Sequence, residues 1–301
     1  MLFEEPDLEF NVLNDSLFTE KKVSVIMARL DKIHPIVSGN KLFKLHYFLE
    51  ESIRHNQKTI LSFGGAYSNH LVATAYACKL AGIACIGIVR AERPATVSHT
   101  LKLCETYGMQ LHFISREAYY SKDSLPFIEQ LTNQFGEFTL IPEGGYHPLG
   151  AAGAALIMDR ISGAKATHVC TAVGTATTLA GLLKNRINNE TVIAVPVIKN
   201  MNDIAERLLY LGNTKELNNP VIFDNYHFGG YAKRTTGLIS FMNDFFLKHA
   251  VPTDFVYTAK MMYAVIDKIN AGYFAEGSTV ICLHTGGLQG NASLPPGTLV
   301  F

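Results

Sequence analysis

The chain has 301 residues, of which 48% are hydrophobic and 17% are charged, a composition typical of a well-packed globular protein. Its 26 basic and 26 acidic side chains cancel. No basic excess therefore favours nucleic acid or an anionic membrane surface, and a small-molecule substrate is favoured instead. We expect no metal, because the histidines show none of the spacings that metal sites use.

The start of the chain and its five cysteines predict a compartment. The acidic opening MLFEEPDLEF lacks the basic and apolar segments of a signal peptide, and no apolar run is long enough to span a bilayer. The cysteines form no CxxC pair and lie in apolar or helical surroundings. This pattern favours buried free thiols in a reducing environment, so we expect a cytoplasmic protein.

Short apolar runs alternate with helical patterns along the first half of the chain. This rhythm predicts a parallel sheet with right-handed crossovers. The predicted strands are 59–63, 84–89, 110–114 and 138–141, and the predicted helices are 41–55, 68–81, 95–107 and 122–135.

The pattern pauses at residues 142–145 and then starts again. Helices are predicted at about 149–162, 178–188, 200–212, 232–248 and 257–271, and strands at 167–173, 191–198 and 278–285. The β-branched segment 23–27 finds no hairpin partner within 42–145, so we assign it to the second unit. The sequence thus predicts an α/β protein with a small domain at 42–145 and a larger domain formed by 1–41 and 146–301. Lys41 would lie at the seam, where ligands commonly bind.

Lys41 is the first candidate site residue, because it follows a Gly-Asn turn and begins a predicted helix. A Schiff base needs an amine that loses its proton near neutral pH, and burial or the positive potential of a helix N-terminus favours that loss. Asn40 can cap the same helix. Lys44 follows one turn later on roughly the same face. From the spacing alone, two ordinary surface lysines are the simpler interpretation.

A second candidate site follows the predicted strand 59–63. The strand breaks at Gly64 and Gly65, and Ser68 then begins the next helix. Backbone N–H groups and the serine hydroxyl at such a position can hold a carboxylate, and the amide of Asn69 suits a phenolic oxygen. From the residues alone, a serine that only caps its helix and a packed histidine at His70 remain alternatives.

The third candidate is a loop of small and hydroxyl-bearing residues between a strand and a helix, formed by Gly174, Thr175, Ala176, Thr177 and Thr178. Small residues let the backbone approach a ligand closely, and the hydroxyls can donate to phosphate oxygens. An ordinary turn capped by threonine fits the loop equally well. A reactive amine, a cradle for a carboxylate and a phosphate-type loop together indicate an enzyme that holds pyridoxal phosphate through a lysine.

These motifs, in this order, resemble the pyridoxal-phosphate enzymes that include 1-aminocyclopropane-1-carboxylate (ACC) deaminase and D-cysteine desulfhydrase. The elements that carry the resemblance are GNKLFKL at 39–45 and SFGGAYSNH at 62–70, and it runs from about residue 31 to residue 287. The resemblance implies the tryptophan-synthase-β-like fold of the type II enzymes, with two domains, three αβα layers and parallel-rich twisted sheets. It also implies pyridoxal 5'-phosphate as cofactor, a small amino-acid substrate and a homodimer.

The resemblance assigns roles to the residues that match the family's motifs. Lys41 matches the Schiff-base lysine, and the other residues with catalytic roles are Ser68, Tyr231 in GGYAK and Tyr257 in VYTAK. Cofactor contacts are implied for Lys41, Asn69, Gly174, Thr175, Ala176, Thr177, Thr178, Thr258 and Thr285, and substrate contacts for Tyr67, Ser68, Asn69 and His70. The chain departs from the family at Tyr67, Lys233 and Ala259, where glutamine, proline and glycine are usual, and these changes bear on the substrate.

Two threonines distinguish the subfamilies. ACC deaminases carry YEG and HLGG, desulfhydrases carry YTG and HTGG, and this chain has YTA at 257–259 and HTGG at 284–287. A carboxylate beside the pyridine nitrogen keeps it protonated and strengthens the electron sink, whereas Thr258 and Thr285 would do so less well. Elimination needs a weaker sink than opening a cyclopropane.

The resemblance therefore favours α,β-elimination from D-cysteine to pyruvate, ammonia and sulfide. Deamination of ACC to 2-oxobutanoate and ammonia is the alternative, and an amino-acid racemase is another. A pyridoxal-phosphate-binding protein without turnover is an alternative of a different class. A nicotinamide dehydrogenase would need a glycine-rich fingerprint that the chain lacks.

Overall fold

The structure is a computed structural model that describes residues 7–92, 96–186, 190–214 and 220–301. Within these ranges the predicted strands and helices are present, with ends that differ from the predictions by a few residues. Residue 95, the predicted start of one helix, and residues 187–188, the predicted end of another, lie outside the described residues.

The smaller sheet of the described chain is parallel throughout. Its strand order is β5 (Met109–Ile114), β4 (Ala84–Arg90), β3 (Thr59–Gly64) and β6 (Thr139–Ile141). The helices along this part of the chain are α2 (Asn40–Arg54), α3 (Asn69–Ala81), α4 (His99–Thr106), α5 (Arg116–Tyr120) and α6 (Leu125–Phe135). The sequence did not predict α5, which has only five residues.

The larger sheet has the strand order β1 (Phe10–Leu13), β2 (Ser24–Ala28), β10 (Thr279–Leu283), β7 (His168–Val173), β8 (Thr191–Pro196) and β9 (Val221–Ile222). Only β1 runs antiparallel to its neighbour. Strand β2 pairs with β10, so residues 24–28 lie in the larger sheet. The other helices are α1 (Ser16–Glu20), α7 (Pro148–Ile161), α8 (Thr177–Lys184), α9 (Ile204–Tyr210), α10 (Thr236–His249) and α11 (Thr258–Asn270).

Close packing of helices brings two predicted site segments together. Helix α7 contacts α2 at Gly153, where a Cβ atom would lie 2.0 Å from the carbonyl oxygen of Phe43, so only glycine fits. At the start of α2, the Asn40 amide donates to the Thr178 hydroxyl, 2.8 Å away at the start of α8. The lysine that follows Asn40 and the loop that precedes α8 are therefore held side by side.

The two sheets share a hydrophobic core. One cluster of buried side chains includes Ile60 and Val89 from the smaller sheet and Val169 and Ile281 from the larger one. The smaller sheet lies within 42–145, and the division of the chain into two domains there stays a prediction. The five cysteines are free and buried, as predicted. None of the described helices is long and apolar enough to cross a membrane.

Candidate active site

A cavity of about 910 Å³ gathers most of the predicted site residues. Its lining includes Lys41, Tyr67, Ser68, Asn69, His70, Gly174, Thr175, Tyr231 and Tyr257. The remaining predicted residues are buried and do not line this cavity: Ala176, Thr177, Thr178, Thr258 and Thr285. The structure thus brings the three candidate segments to one site.

Lys41 lies at the start of α2, where the chain turns tightly against the end of β10. Gly39 has a positive φ of 69°, and a Cβ atom there would lie 2.0 Å from the Thr285 carbonyl oxygen. The Lys41 Nζ donates to the Asn40 Oδ1, 2.6 Å away. Burial lowers the pKa of Lys41 to about 8, and the charge of Asp254 opposes this shift. The neutral form that a nucleophile or a base requires is therefore a minor fraction near physiological pH, but a far larger one than in an ordinary lysine.

Lys44 is buried behind Lys41. Only 5% of its surface is exposed, so the interpretation of two surface lysines is wrong. Its Nζ donates to the Gly144 carbonyl oxygen at 3.1 Å. Burial, followed by repulsion from Lys41, holds the pKa of Lys44 well below its ordinary range. The charge of Lys41 thus disfavours a second charged amine beside it.

Ser68 and Asn69 begin helix α3 at the cavity wall. The Ser68 Oγ accepts a hydrogen bond from the backbone N–H of Leu71 at 3.2 Å, so the serine caps the helix. Capping uses a lone pair of the hydroxyl and leaves its proton available for a ligand oxygen. The Asn69 Oδ1 is buried and has no hydrogen-bond partner among the described residues. Both side chains can therefore accommodate a polar ligand at this wall.

His70 is buried and contacts a neighbouring side chain. Its Nε2 lies 3.0 Å from the Ser62 Oγ, which donates its own proton to the Ile141 carbonyl oxygen. Burial lowers the pKa of His70 to about 3, and the charges of Lys41 and Lys44 act in the same direction. The ring is therefore neutral at working pH. Its packing matches the alternative of a packed histidine, and a substrate contact stays a prediction.

The loop before α8 presents hydroxyl and amide donors. Ala176 adopts a left-handed conformation with φ of 64°, so the chain turns sharply before Thr177 starts the helix. The Thr175 and Thr177 hydroxyls lie 2.8 Å apart. No side chain caps the first turn of α8, so its backbone N–H groups remain available to an anion. This donor set suits a phosphate group.

Two tyrosine hydroxyls meet in the lining of the cavity, next to Gly174 of this loop. The Tyr257 hydroxyl donates to the Tyr231 hydroxyl at 3.2 Å. Burial, followed by the neighbouring Tyr231, raises the pKa of Tyr257 well above its ordinary value. Tyr257 is therefore a neutral phenol at working pH and can donate a proton or a hydrogen bond to a ligand.

A buried lysine that sequence reasoning missed holds the loop that carries Tyr231. Lys260 lies on α11, is fully buried, and donates to the carbonyl oxygens of His227 and Gly230, each at 2.8 Å. Burial lowers the pKa of Lys260 to about 8, against the attraction of Asp254. Since α11 begins directly after Tyr257, Lys260 fixes the two tyrosines relative to each other.

A buried carboxylate that the sequence analysis also missed lies at the start of α11. Asp254 accepts hydrogen bonds from the backbone N–H groups of Val256, Tyr257 and Thr258 and from the Thr258 hydroxyl, at 2.7–3.0 Å. A Cβ atom at Gly287 would lie 3.2 Å from the Asp254 Oδ2 and 3.4 Å from the Asn69 Nδ2. A carboxylate and an amide therefore converge beside the cavity. In the sequence, Asp254 shows only as an aspartate shortly before a helix, a pattern that indicates a helix cap rather than a ligand-binding residue.

These residues fit pyridoxal phosphate. Lys41 offers an amine of low pKa, Thr175 and the start of α8 offer donors for the phosphate, and Asn69 keeps an unpartnered oxygen in an amide that can face either way. All three lie at one cavity.

Comparisons with known proteins agree with the geometry. A family described as pyridoxal-phosphate dependent enzyme matches residues 13–286. A Pyrococcus abyssi protein provisionally named as an ACC deaminase is 28% identical over 90% of this chain and 86% of its own length. A mitochondrial Arabidopsis thaliana protein named as a bifunctional D-cysteine desulfhydrase/ACC deaminase is 29% identical over 84% of this chain and 70% of its own. The crystal structure of an ACC deaminase homologue superposes with a TM-score of 0.82, at 24% identity and over 95% of this chain and 91% of that one, which shows the same fold.

Proposed function

This chain belongs to the family of pyridoxal-phosphate-dependent enzymes, and within that family we propose that it catalyses α,β-elimination from a small amino acid. D-Cysteine is the leading substrate, with pyruvate, ammonia and sulfide as products. The observation that carries the proposal is the meeting of a low-pKa amine, Lys41, with the Tyr231–Tyr257 hydroxyl pair and the Ser68 hydroxyl around one cavity.

Each of these groups has a step that its chemistry suits. Bound pyridoxal phosphate supplies an electron sink for the charge left at Cα when the substrate loses its α-proton. Lys41 anchors the cofactor at rest and, once free, accepts the α-proton, because an amine with a pKa of about 8 is a competent base. Ser68 and the first N–H groups of α3 bind the substrate carboxylate. Tyr257 and Tyr231, as neutral phenols in hydrogen-bond contact, donate a proton to the departing sulfur.

Deamination of ACC is the second candidate. The names of the Pyrococcus abyssi and Arabidopsis thaliana relatives favour it, and the second name joins both activities. Thr258 stands where the resemblance places a glutamate in ACC deaminases, and this difference is the sequence argument for elimination. Both reactions use the same amine, so the residues described above serve either one.

A substrate panel tests the proposal. The purified enzyme, loaded with cofactor, is supplied with D- and L-amino acids, β-chloro-D-alanine and ACC, and pyruvate, 2-oxobutanoate and sulfide are measured. We expect pyruvate and sulfide from D-cysteine at a rate far above the rate of 2-oxobutanoate release from ACC. Faster release of 2-oxobutanoate from ACC would contradict the proposed elimination and favour ACC deamination. Full cofactor binding with no 2-oxoacid from any compound would favour a cofactor-binding protein without turnover.

A further inference from the structure

The cavity extends beyond the predicted contacts to a group of charged side chains on the smaller sheet. Arg90 ends strand β4, Lys122 and Asp123 lie in the turn between α5 and α6, and Glu143 follows β6; all four line the cavity. Neither the family's motifs nor the steps proposed above give these residues a role.

Ion pairs engage most of the positive charge in the lining. Lys122 lies 2.9 Å from an Asp123 carboxylate oxygen and 3.8 Å from one of Glu143. Arg207, on the wall formed by α9, lies 2.7 Å from Asp203. Lys41 is the residue assigned to the cofactor. Among the described residues of the lining, Arg90 is left as the cation with no ion pair.

Arg90 is placed next to the substrate-binding wall. A Cβ atom at Gly65 would lie 3.7 Å from the Arg90 Nη2, and Gly65 opens the turn that leads to Ser68. The Arg90 Cζ lies 5.4 Å from the centre of the Tyr119 ring, which is buried against Phe63. Burial raises the pKa of Tyr231, and the charge of Arg90 opposes that rise, so the guanidinium also acts on the tyrosine pair. An aromatic face of this kind orients the guanidinium while leaving its N–H groups for a ligand.

We propose that Arg90 binds a carboxylate or similar oxyanion carried by the β-substituent of the substrate, so that the enzyme acts on amino acids with an acidic leaving group. In the proposed function, Ser68 and the start of α3 bind the α-carboxylate. Arg90 lies beside Gly65, which precedes Ser68 in the same wall of the cavity. A planar guanidinium pairs with carboxylates through two parallel hydrogen bonds, which makes it a selective reader of such a group. This inference rests on the proposed function, whose substrate class it narrows.

S-Carboxymethylcysteine is an amino acid of this class, because its β-substituent carries a carboxylate on the sulfur. The α-carbon loses a proton, the bond between Cβ and sulfur breaks, and the sulfur leaves with the electron pair and gains a proton as thioglycolate. Water then converts the remaining three-carbon unit to pyruvate and ammonia. No oxidant or reductant is needed.

The test uses two probes that differ in charge and hardly in shape. The cofactor-loaded enzyme is given S-carboxymethylcysteine or its neutral amide, S-carbamoylmethylcysteine, each as D and L enantiomers, and pyruvate and released thiol are measured. We expect kcat/KM for the acid to exceed that for the amide by about 10- to 100-fold, the factor expected for a hydrogen bond to a charged group. In Arg90→Met this ratio should fall to about 1, and in Arg90→Lys it should lie between. In Lys122→Met, which removes a cation already paired with carboxylates, the ratio should persist.

Two results would overturn the inference. A ratio near 1 in the unmodified enzyme would show that the acidic group is not recognised. An equal loss for both probes in Arg90→Met would show that Arg90 serves the α-carboxylate or the fold. If neither probe is turned over, the proposed elimination fails for this class, and calorimetric titration of the loaded enzyme with the same pair still decides about Arg90. Tighter binding of the acid that disappears in Arg90→Met supports the inference, and equal or absent binding refutes it.

Discussion

Lys41→Met should stabilise the cofactor-free protein at neutral pH. Burial lowers the pKa of Lys41 from 10.5 to about 8. Each pH unit by which a pKa moves corresponds to about 1.4 kcal/mol, so keeping this amine charged in the folded state costs about 3 kcal/mol. The methionine also removes the hydrogen bond to Asn40, which is worth about 1 kcal/mol. We therefore expect a net gain of about 2 kcal/mol in the free energy of unfolding at pH 7.

The sign of the pH dependence follows from the same pKa. Below pH 8 the amine is protonated in both the folded and the unfolded chain, and the penalty is fully present. Between pH 8 and 10.5 the unfolded chain binds more protons than the folded one, so the stability of the unmodified protein rises with pH. The advantage of Lys41→Met should therefore shrink, by about 1 kcal/mol between pH 7 and pH 9.

Urea unfolding of both cofactor-free proteins at several pH values measures this difference. Lys102→Met, a change at an exposed lysine of α4, is the matched control and should show no trend with pH. A variant that is less stable than the unmodified protein at pH 7, or a difference that stays constant up to pH 9, would refute the argument from burial.

Three further predictions concern the site. Borohydride reduction of the loaded enzyme followed by peptide mapping should place the cofactor on Lys41, whereas a label on Lys44 would contradict the assignment; Lys41→Ala should bind cofactor noncovalently without turnover. Thr175→Ala and Thr177→Ala should each weaken cofactor affinity by about 0.5–1.5 kcal/mol, or up to about 3 kcal/mol where the lost bond is to the charged phosphate, as measured by fluorescence titration; unchanged affinity in both would exclude this loop. Lys260→Met should free two carbonyl groups of the Tyr231 loop and lower kcat with little effect on cofactor affinity, while Lys260→Arg should retain part of the rate; equal losses in kcat and cofactor affinity would mean that the residue serves the fold as a whole.

The sequence predicted the parts of the site that depend on local order. Small and hydroxyl-bearing residues directly after β3 and β7, each ahead of a helix, gave two of the candidate segments. The Gly-Asn turn before Lys41 was visible in the same way. Strand β9 was not predicted, because two residues are too few to show a period of two.

Contacts between distant segments were beyond the sequence. Lys260 and Gly230 are 30 positions apart in the sequence, so no local pattern could predict the hydrogen bond that joins them. Arg90 looks like an ordinary polar residue at a strand end until its neighbours at Gly65 and Tyr119 are known. Lys44 was judged an exposed lysine because helical spacing cannot tell which face a neighbouring helix will cover.

The partner of Thr258 changes the argument about the electron sink. The sequence suggested a threonine that replaces a carboxylate and leaves the pyridine nitrogen unprotonated. In the structure the Thr258 hydroxyl donates its proton to the buried Asp254, 2.8 Å away, so its oxygen can only accept a further hydrogen bond. The resemblance implies that the pyridine nitrogen lies at Thr258. A hydroxyl that can only accept fits the protonated nitrogen, which would donate to Thr258 while Thr258 donates to the Asp254 carboxylate.

Replacement of this hydroxyl distinguishes the two arguments. Thr258→Val removes the acceptor and should change the visible absorption of the bound cofactor and slow elimination, whereas Thr258→Ser keeps the hydroxyl and should leave the spectrum close to that of the unmodified enzyme. An unchanged spectrum in Thr258→Val would mean that Thr258 does not contact the nitrogen. Thr258→Glu is less informative, because it would place a second carboxylate against fully buried Asp254 and disturb the start of α11. We therefore expect the strength of the electron sink to depend on the Asp254–Thr258 pair rather than on Thr258 alone.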